Sequence, residues 1–263
     1  MQNSVEPLGG VTTSVLRRAG DGPRVLLSHC SLAHSGAWKP LLTQRPDLDA
    51  VALDLPGHGQ TMVDEARSPG RQAADAMLEV LGDGPAHLVG HSFGGRVVAR
   101  VALDRPQAVA SLTLVEPMMF HVLDEAGDPR AEDERVASQH YVDALANNDR
   151  EGQARAFMSR WGNGVAWDDL PERTRAYAIE RIHFIDRSGE EVMGNPPGQI
   201  TLSALSTLTC PVRVIYGAQT VPAAIGIAEH VSRAVGVTPV GIPGAGHMVA
   251  ISHAAEVAEH LPF

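Results

Sequence analysis

Short apolar runs alternate with helical patterns along most of this 263-residue chain, and that alternation narrows the possible folds most sharply. Residues 11–16 and 24–29 read as strands, separated by the turn Gly20-Asp21-Gly22-Pro23. Residues 51–55 form another short strand. Apolar positions at helical spacing run over 73–81 and stop at Gly82, a C-cap residue. A strand over 86–90, a helix over 93–103 and a strand over 111–115 follow. Strands joined through helices in this order require a mostly parallel sheet with helices on both faces, the α/β class.

The alternation lapses between Glu116 and Thr209. Helical patterns cover 131–146, 151–161 and 171–185, the last with Asp168 and Asp169 as capping candidates and Pro171 in its first turn. Strand 212–216, helix 223–235, strand 238–242 and helix 254–260 then resume the rhythm. A helical block between two strands of one sheet reads as a lid: core over 1–116 and 205–263, lid over 117–204.

Hydrophobic residues make up 44% of the chain and charged residues 20%, enough apolar surface for a sizeable core. A formal net charge of −10 argues against nucleic acid or an anionic membrane surface as the main partner. No stretch nears the roughly 18 apolar residues of a membrane span, and no signal-peptide pattern opens the sequence, so a cytoplasmic location is expected. Cys30 and Cys210 abut predicted strands and read as buried thiols.

The chemistry centres on Gly90-His91-Ser92-Phe93-Gly94-Gly95, a G-x-S-x-G pattern entered by a strand and left by a helix. A serine on such a sharp turn projects its hydroxyl above the sheet edge, and the crowding two residues either side favours glycine. The helix that starts at Phe93 aims its amide dipoles at the same point, favouring negative charge. Ser92 is the candidate nucleophile. It needs a base from late in the chain, and His247, in Gly244-Ala245-Gly246-His247-Met248 after the last predicted strand, is the candidate among 12 histidines. No H-E-x-x-H or paired Cys-x-x-Cys spacing appears, and no G-x-G-x-x-G follows a strand, so neither metal nor nucleotide cofactor is expected.

These motifs, with Leu53-Asp54-Leu55-Pro56-Gly57-His58-Gly59 and the helical insertion, resemble the α/β-hydrolase superfamily over nearly the whole chain. The resemblance implies an oxyanion hole formed by the amides of Ser31 and Phe93, with Cys30 standing where the family usually has glycine. It implies a structural role for Asp54. The family usually carries its third catalytic residue, an aspartate, in a Gly-x-x-Asp arrangement after the next-to-last strand. Here the sequence is Gly217-Ala218-Gln219-Thr220, with no carboxylate before Glu229. Some branches carry the acid at the end of the strand after the nucleophile helix, where this chain has Glu116. Trp38 reads equally as packing or pocket wall. Met119, Trp161 and other large lid residues read as a pocket roof or as the packing faces of the lid helices.

The expected reaction is hydrolysis of a small ester or lactone through an acyl-serine, with a small molecule as partner. A serine at the elbow, not an aspartate, argues against haloalkane dehalogenase and epoxide hydrolase chemistry. Carbon–carbon bond hydrolases and cofactor-free haloperoxidases resemble the same serine site. A non-catalytic ligand-binding receptor is the reading from another class, supported by the absent late aspartate. Oligomeric state is not legible.

Overall fold

The computed structural model describes residues 1–194 and 199–263, so the stretch 195–198 of the expected lid lies outside the described residues. Eight strands form one sheet: β1 (Gln2–Leu8), β2 (Val11–Arg18), β3 (Arg24–Ser28), β4 (Asp49–Leu53), β5 (Ala86–His91), β6 (Val109–Val115), β7 (Val212–Gly217) and β8 (Val240–Ile242). Their spatial order is β1-β2-β4-β3-β5-β6-β7-β8. The β1–β2 and β2–β4 pairs are antiparallel, and β3 to β8 pair in parallel. This is the expected mostly parallel α/β sheet, with β1 added. That strand is mostly exposed at the sheet edge, so it carries no apolar alternation to read.

Both faces of the sheet are covered, which explains the near-continuous apolar strands. Leu26, Leu88, Leu114 and Val214 point to one face and pack on the helices Pro69–Leu81, Phe93–Asp104 and Pro222–Ala234. Their chain neighbours Leu27, Val89, Val115 and Ile215 point to the other face, against Trp38, Leu41, Val249 and Val257.

Between β6 and β7 the described chain is helical: His121–Glu125, Arg130–Ala137, Gln139–Ala146, Arg150–Trp161, Glu172–Arg181, His183–Met193 and Leu202–Leu205. The helix expected over 131–146 divides at Ser138, and that over 171–185 divides at Ile182. Asp168 and Asp169 do not cap the helix after Pro171. They lie in a short 3-10 turn, where Asp168 instead accepts two 2.9 Å hydrogen bonds from Arg155. Because β6 and β7 pair directly, the sheet is continuous beneath the whole block. No helix among the described residues is long and apolar enough to cross a membrane. Cys30 and Cys210 are both free thiols, the first buried and the second half-buried.

Candidate active site

Ser92 sits between the end of β5 and the helix Phe93–Asp104 with φ 57° and ψ −119°, a backbone conformation that side chains other than glycine rarely adopt. The turn is held by the Ser92 amide, which donates to Val115 O at 2.9 Å, and by Ser92 O, which accepts from Gly95 N at 2.9 Å and Met118 N at 3.2 Å. The flanking glycines are required by space. A Cβ at Gly94 would lie 2.2 Å from Ser28 O, and one at Gly90 would lie 2.3 Å from Gly94 O.

His247 reaches this serine from the loop after β8. Its Nε2 is 3.0 Å from Ser92 Oγ, and its Nδ1 is 2.8 Å from Glu116 Oε2. Ser92, His247 and Glu116 are all buried. With Nδ1–H donating to Glu116 Oε2, the Nε2 lone pair faces the serine hydroxyl. Glu116 follows β6 directly and, like Ser92, is held at positive φ (49°). Both of its carboxylate oxygens are engaged: Gly217 N donates to Oε1 at 2.7 Å, and Thr220 Oγ1 donates to Oε2 at 2.8 Å. Thr220 thus occupies the family's usual acid position as a donor to an acid from the neighbouring strand. Gly217 has to be glycine, since a Cβ there would lie 2.3 Å from Gly246 O.

Three buried histidines pack around the site, and sequence reasoning gave none of them a catalytic role. His91 Nε2 donates to His247 O at 2.9 Å, pinning the loop that carries the candidate base. His29 Nε2 accepts from Leu55 N at 2.9 Å while its Nδ1 donates to Cys30 O at 2.7 Å. His58 Nε2 accepts from Leu32 N at 3.1 Å while its Nδ1 donates to Pro56 O at 3.0 Å. Burial pushes all three down to about 3, so the rings are neutral and each of these pairings is available. His58 therefore fixes Leu32, itself at φ 58°, and with it the turn that carries Ser31.

Ser31 and Phe93 both face the same cavity as Ser92. No hydrogen-bond acceptor for either amide is found among the described residues, so both N–H groups are open to a ligand. Cys30, in the usual glycine position, is buried, and burial pushes its thiol up to about 12, so it stays protonated. Asp54 accepts from Ser35 N, and its carbonyl takes the Thr61 hydroxyl at 3.1 Å, bonds that tie loops together.

The cavity above Ser92 measures about 900 Å³ and is mostly apolar, with Met118, Phe120, Phe157, Trp161 and Ile185 on its wall. Trp161 also stands edge-on to His247, ring centroids 5.0 Å apart, and meets Phe120 at 5.7 Å. Three of the expected pocket residues are elsewhere. Trp38 is buried against the opposite side of the sheet, beside Leu41 and Leu42, because the helical turn it ends packs beneath β3 and β4. Met119 is fully buried in the main core, since the chain turns inward there towards Val122 and Leu123. Phe184 wedges between the rings of His58 (4.7 Å) and Phe93 (5.0 Å) and does not line the cavity. Among the described residues no group of His, Cys, Asp and Glu could hold a metal ion.

A parallel sheet flanked by helices, with a serine at a strained strand-to-helix elbow, is the architecture of an α/β-hydrolase. The profile of the alpha/beta hydrolase family matches residues 25–260, and the chain belongs to that family. It is 36% identical over 156 residues to lipase LipV of Mycobacterium tuberculosis, covering 57% of this chain and 56% of that protein. It is 36% identical over 152 residues to the pimeloyl-[acyl-carrier protein] methyl ester esterase of Methylococcus capsulatus, covering 56% and 57%. The chain thus spans about half the length of the curated relatives it matches. The naproxen esterase of Bacillus subtilis shares the fold with a TM-score of 0.71 at 20% identity, over 98% of this chain and 89% of that one.

Proposed function

We propose that this chain is a serine hydrolase that cleaves an ester or lactone through an acyl-serine intermediate. The observation that carries this reading is the hydrogen-bonded line from Ser92 Oγ through His247 to Glu116, at 3.0 and 2.8 Å. Ser92 Oγ attacks the substrate carbonyl carbon as His247 Nε2 takes the hydroxyl proton, and Glu116 stabilises the imidazolium that results. The amides of Ser31 and Phe93 donate to the carbonyl oxygen as it becomes an oxyanion, where fixed donors contribute most. Collapse expels the alcohol, which takes the proton from His247. Water, deprotonated by the same histidine, then attacks the acyl-serine and releases the acid. The relatives named as a lipase and a methyl ester esterase support the same reaction class.

The helical block over 117–204 acts in this reading as a lid. Phe120, Trp161 and Ile185 from the block face Ser92 and His247 from the core across one cavity, which supports that role. A ligand receptor has less support, because its argument was an absent acid and Glu116 lies 2.8 Å from His247 Nδ1. Burst release of p-nitrophenol from a short acyl ester, with fluorophosphonate labelling at Ser92, tests the reading. Ser92→Ala should abolish both, and activity within about tenfold of wild type would refute the assignment.

A further inference from the structure

The cavity is apolar near Ser92, and its charged wall residues have an unequal pairing. Four carboxylates line it, Glu134, Asp143, Asp149 and Asp186, against two guanidiniums, Arg155 and Arg160. Both guanidiniums are already neutralised. Arg155 holds Asp168 through two hydrogen bonds of 2.9 Å, and Arg160 holds the buried Glu134 at 3.2 Å from Nε and 2.5 Å from Nη2. The other carboxylates are anchored by neutral donors, with no cation paired to them. Asp149 accepts from Gly152 N, Asp143 from Gln139 Nε2, and Asp186 from the Tyr141 hydroxyl and Gln153 Nε2. Apart from the exposed His140 and from His247, which is engaged by Glu116 and Ser92, the described lining offers no further basic side chain.

From this pairing we propose that the site takes uncharged esters with a long apolar chain and excludes substrates that carry a second, ionised carboxylate. This rests on the ester-hydrolase reading and specifies its substrate class. A volume of about 900 Å³ admits an elongated ligand, and the walls nearest the serine desolvate it without hydrogen-bonding demands. A carboxylate at the far end of such a chain would find no free cation and meet the exposed carboxylates of Asp143, Asp149 and Asp186, of its own sign. The cost is moderated by solvent at the mouth of the cavity, so the discrimination expected is about 10- to 100-fold.

The test compares p-nitrophenyl octanoate with the mono-p-nitrophenyl ester of suberic acid. The two have equal length, the same leaving group and a carboxylate far from the reacting carbon. The suberate ester should show a kcat/KM lower by about 10- to 100-fold, and raised ionic strength should narrow the gap. Glu134→Gln unpairs Arg160 inside the cavity and should raise the ratio of suberate to octanoate cleavage at least about tenfold. If that variant does not fold, Asp186→Asn, at an exposed position, should move the ratio in the same direction. Equal rates within about threefold in the wild type, or an unmoved ratio in the folded variants, would overturn the proposal. Ser92→Ala separates the two readings through displacement of Nile red. Methyl octanoate displacing the dye from Ser92→Ala where monomethyl suberate does not, while the wild-type protein cleaves neither ester, would sink the hydrolase reading and leave this one standing. Equal displacement would sink this one.

Discussion

Glu116→Gln isolates the charge of the proposed acid from its shape. The wild-type carboxylate accepts from His247 Nδ1 and Thr220 Oγ1 on one oxygen and from Gly217 N on the other. A glutamine has one acceptor oxygen and one amide nitrogen. If the oxygen keeps Gly217, the nitrogen must donate towards His247, which then presents a lone pair at Nδ1 and carries its proton at Nε2. That tautomer cannot accept the Ser92 proton, and no anion remains to balance the imidazolium. The expected loss in kcat is about 10²- to 10⁴-fold, the range seen when a triad acid is neutralised, with KM little changed. Thr220→Asp in the same background should recover part of the loss, because Thr220 Oγ1 already lies 2.8 Å from the carboxylate oxygen that holds His247. Steady-state kinetics on a p-nitrophenyl ester, with melting temperatures for each variant, is the assay. A folded Glu116→Gln enzyme within about tenfold of wild type would refute the reasoning. So would a loss that follows only a fall in melting temperature, which would make Glu116 a structural anchor.

His58 offers a second test, through the turn it supports. His58→Leu removes the acceptor for Leu32 N and should lower kcat about 10²- to 10³-fold with KM less affected, as for a lost oxyanion donor; His58→Gln should recover part of it. Equal kcat in His58→Leu and wild type would disconnect that histidine from catalysis. Stability should also depend on acid. His29, His58 and His91 are driven by burial from 6.5 to about 3, so the unfolded chain gains protons that the fold refuses. Their contribution is intact above about 6.5 and is lost as pH falls towards 3, at up to about 1.4 kcal/mol per pH unit for each ring. Urea unfolding at successive pH values below neutrality reads this directly, and a pH-independent midpoint between 6.5 and 5 would contradict it.

The parts of the molecule legible in the sequence are those whose signals are local. β5, the elbow and the helix Phe93–Asp104 can be read because an apolar run, two glycines and a helical period adjoin one another. The histidines behind the site have no such signal. His91 meets a carbonyl 156 residues away, and nothing in its neighbours marks that pairing. Large side chains mislead for the same reason: Trp38 and Trp161 look alike in sequence, yet one fills the core and the other stands against His247. The helix breaks at Ser138 and Ile182 carry neither glycine nor proline, so no local pattern records them.

Glu116 lies between these cases, and the sheet explains why. β6 and β7 are adjacent parallel strands with Val115 opposite Ile215, so their C-terminal ends open at one level beneath the histidine loop. An acid at either end can therefore reach the same imidazole. The register makes the two seats alternatives, and the sequence shows which is filled only by what is missing from the other. Filling the first seat changes what the second requires. With a carboxylate on β6, an aspartate after β7 would set two negative charges within hydrogen-bonding distance, whereas a hydroxyl donates to the acid already there. Thr220 is thus the complement of Glu116, and the two positions are best changed together: Thr220→Asp alone should impair a chain that Glu116→Gln with Thr220→Asp partly restores.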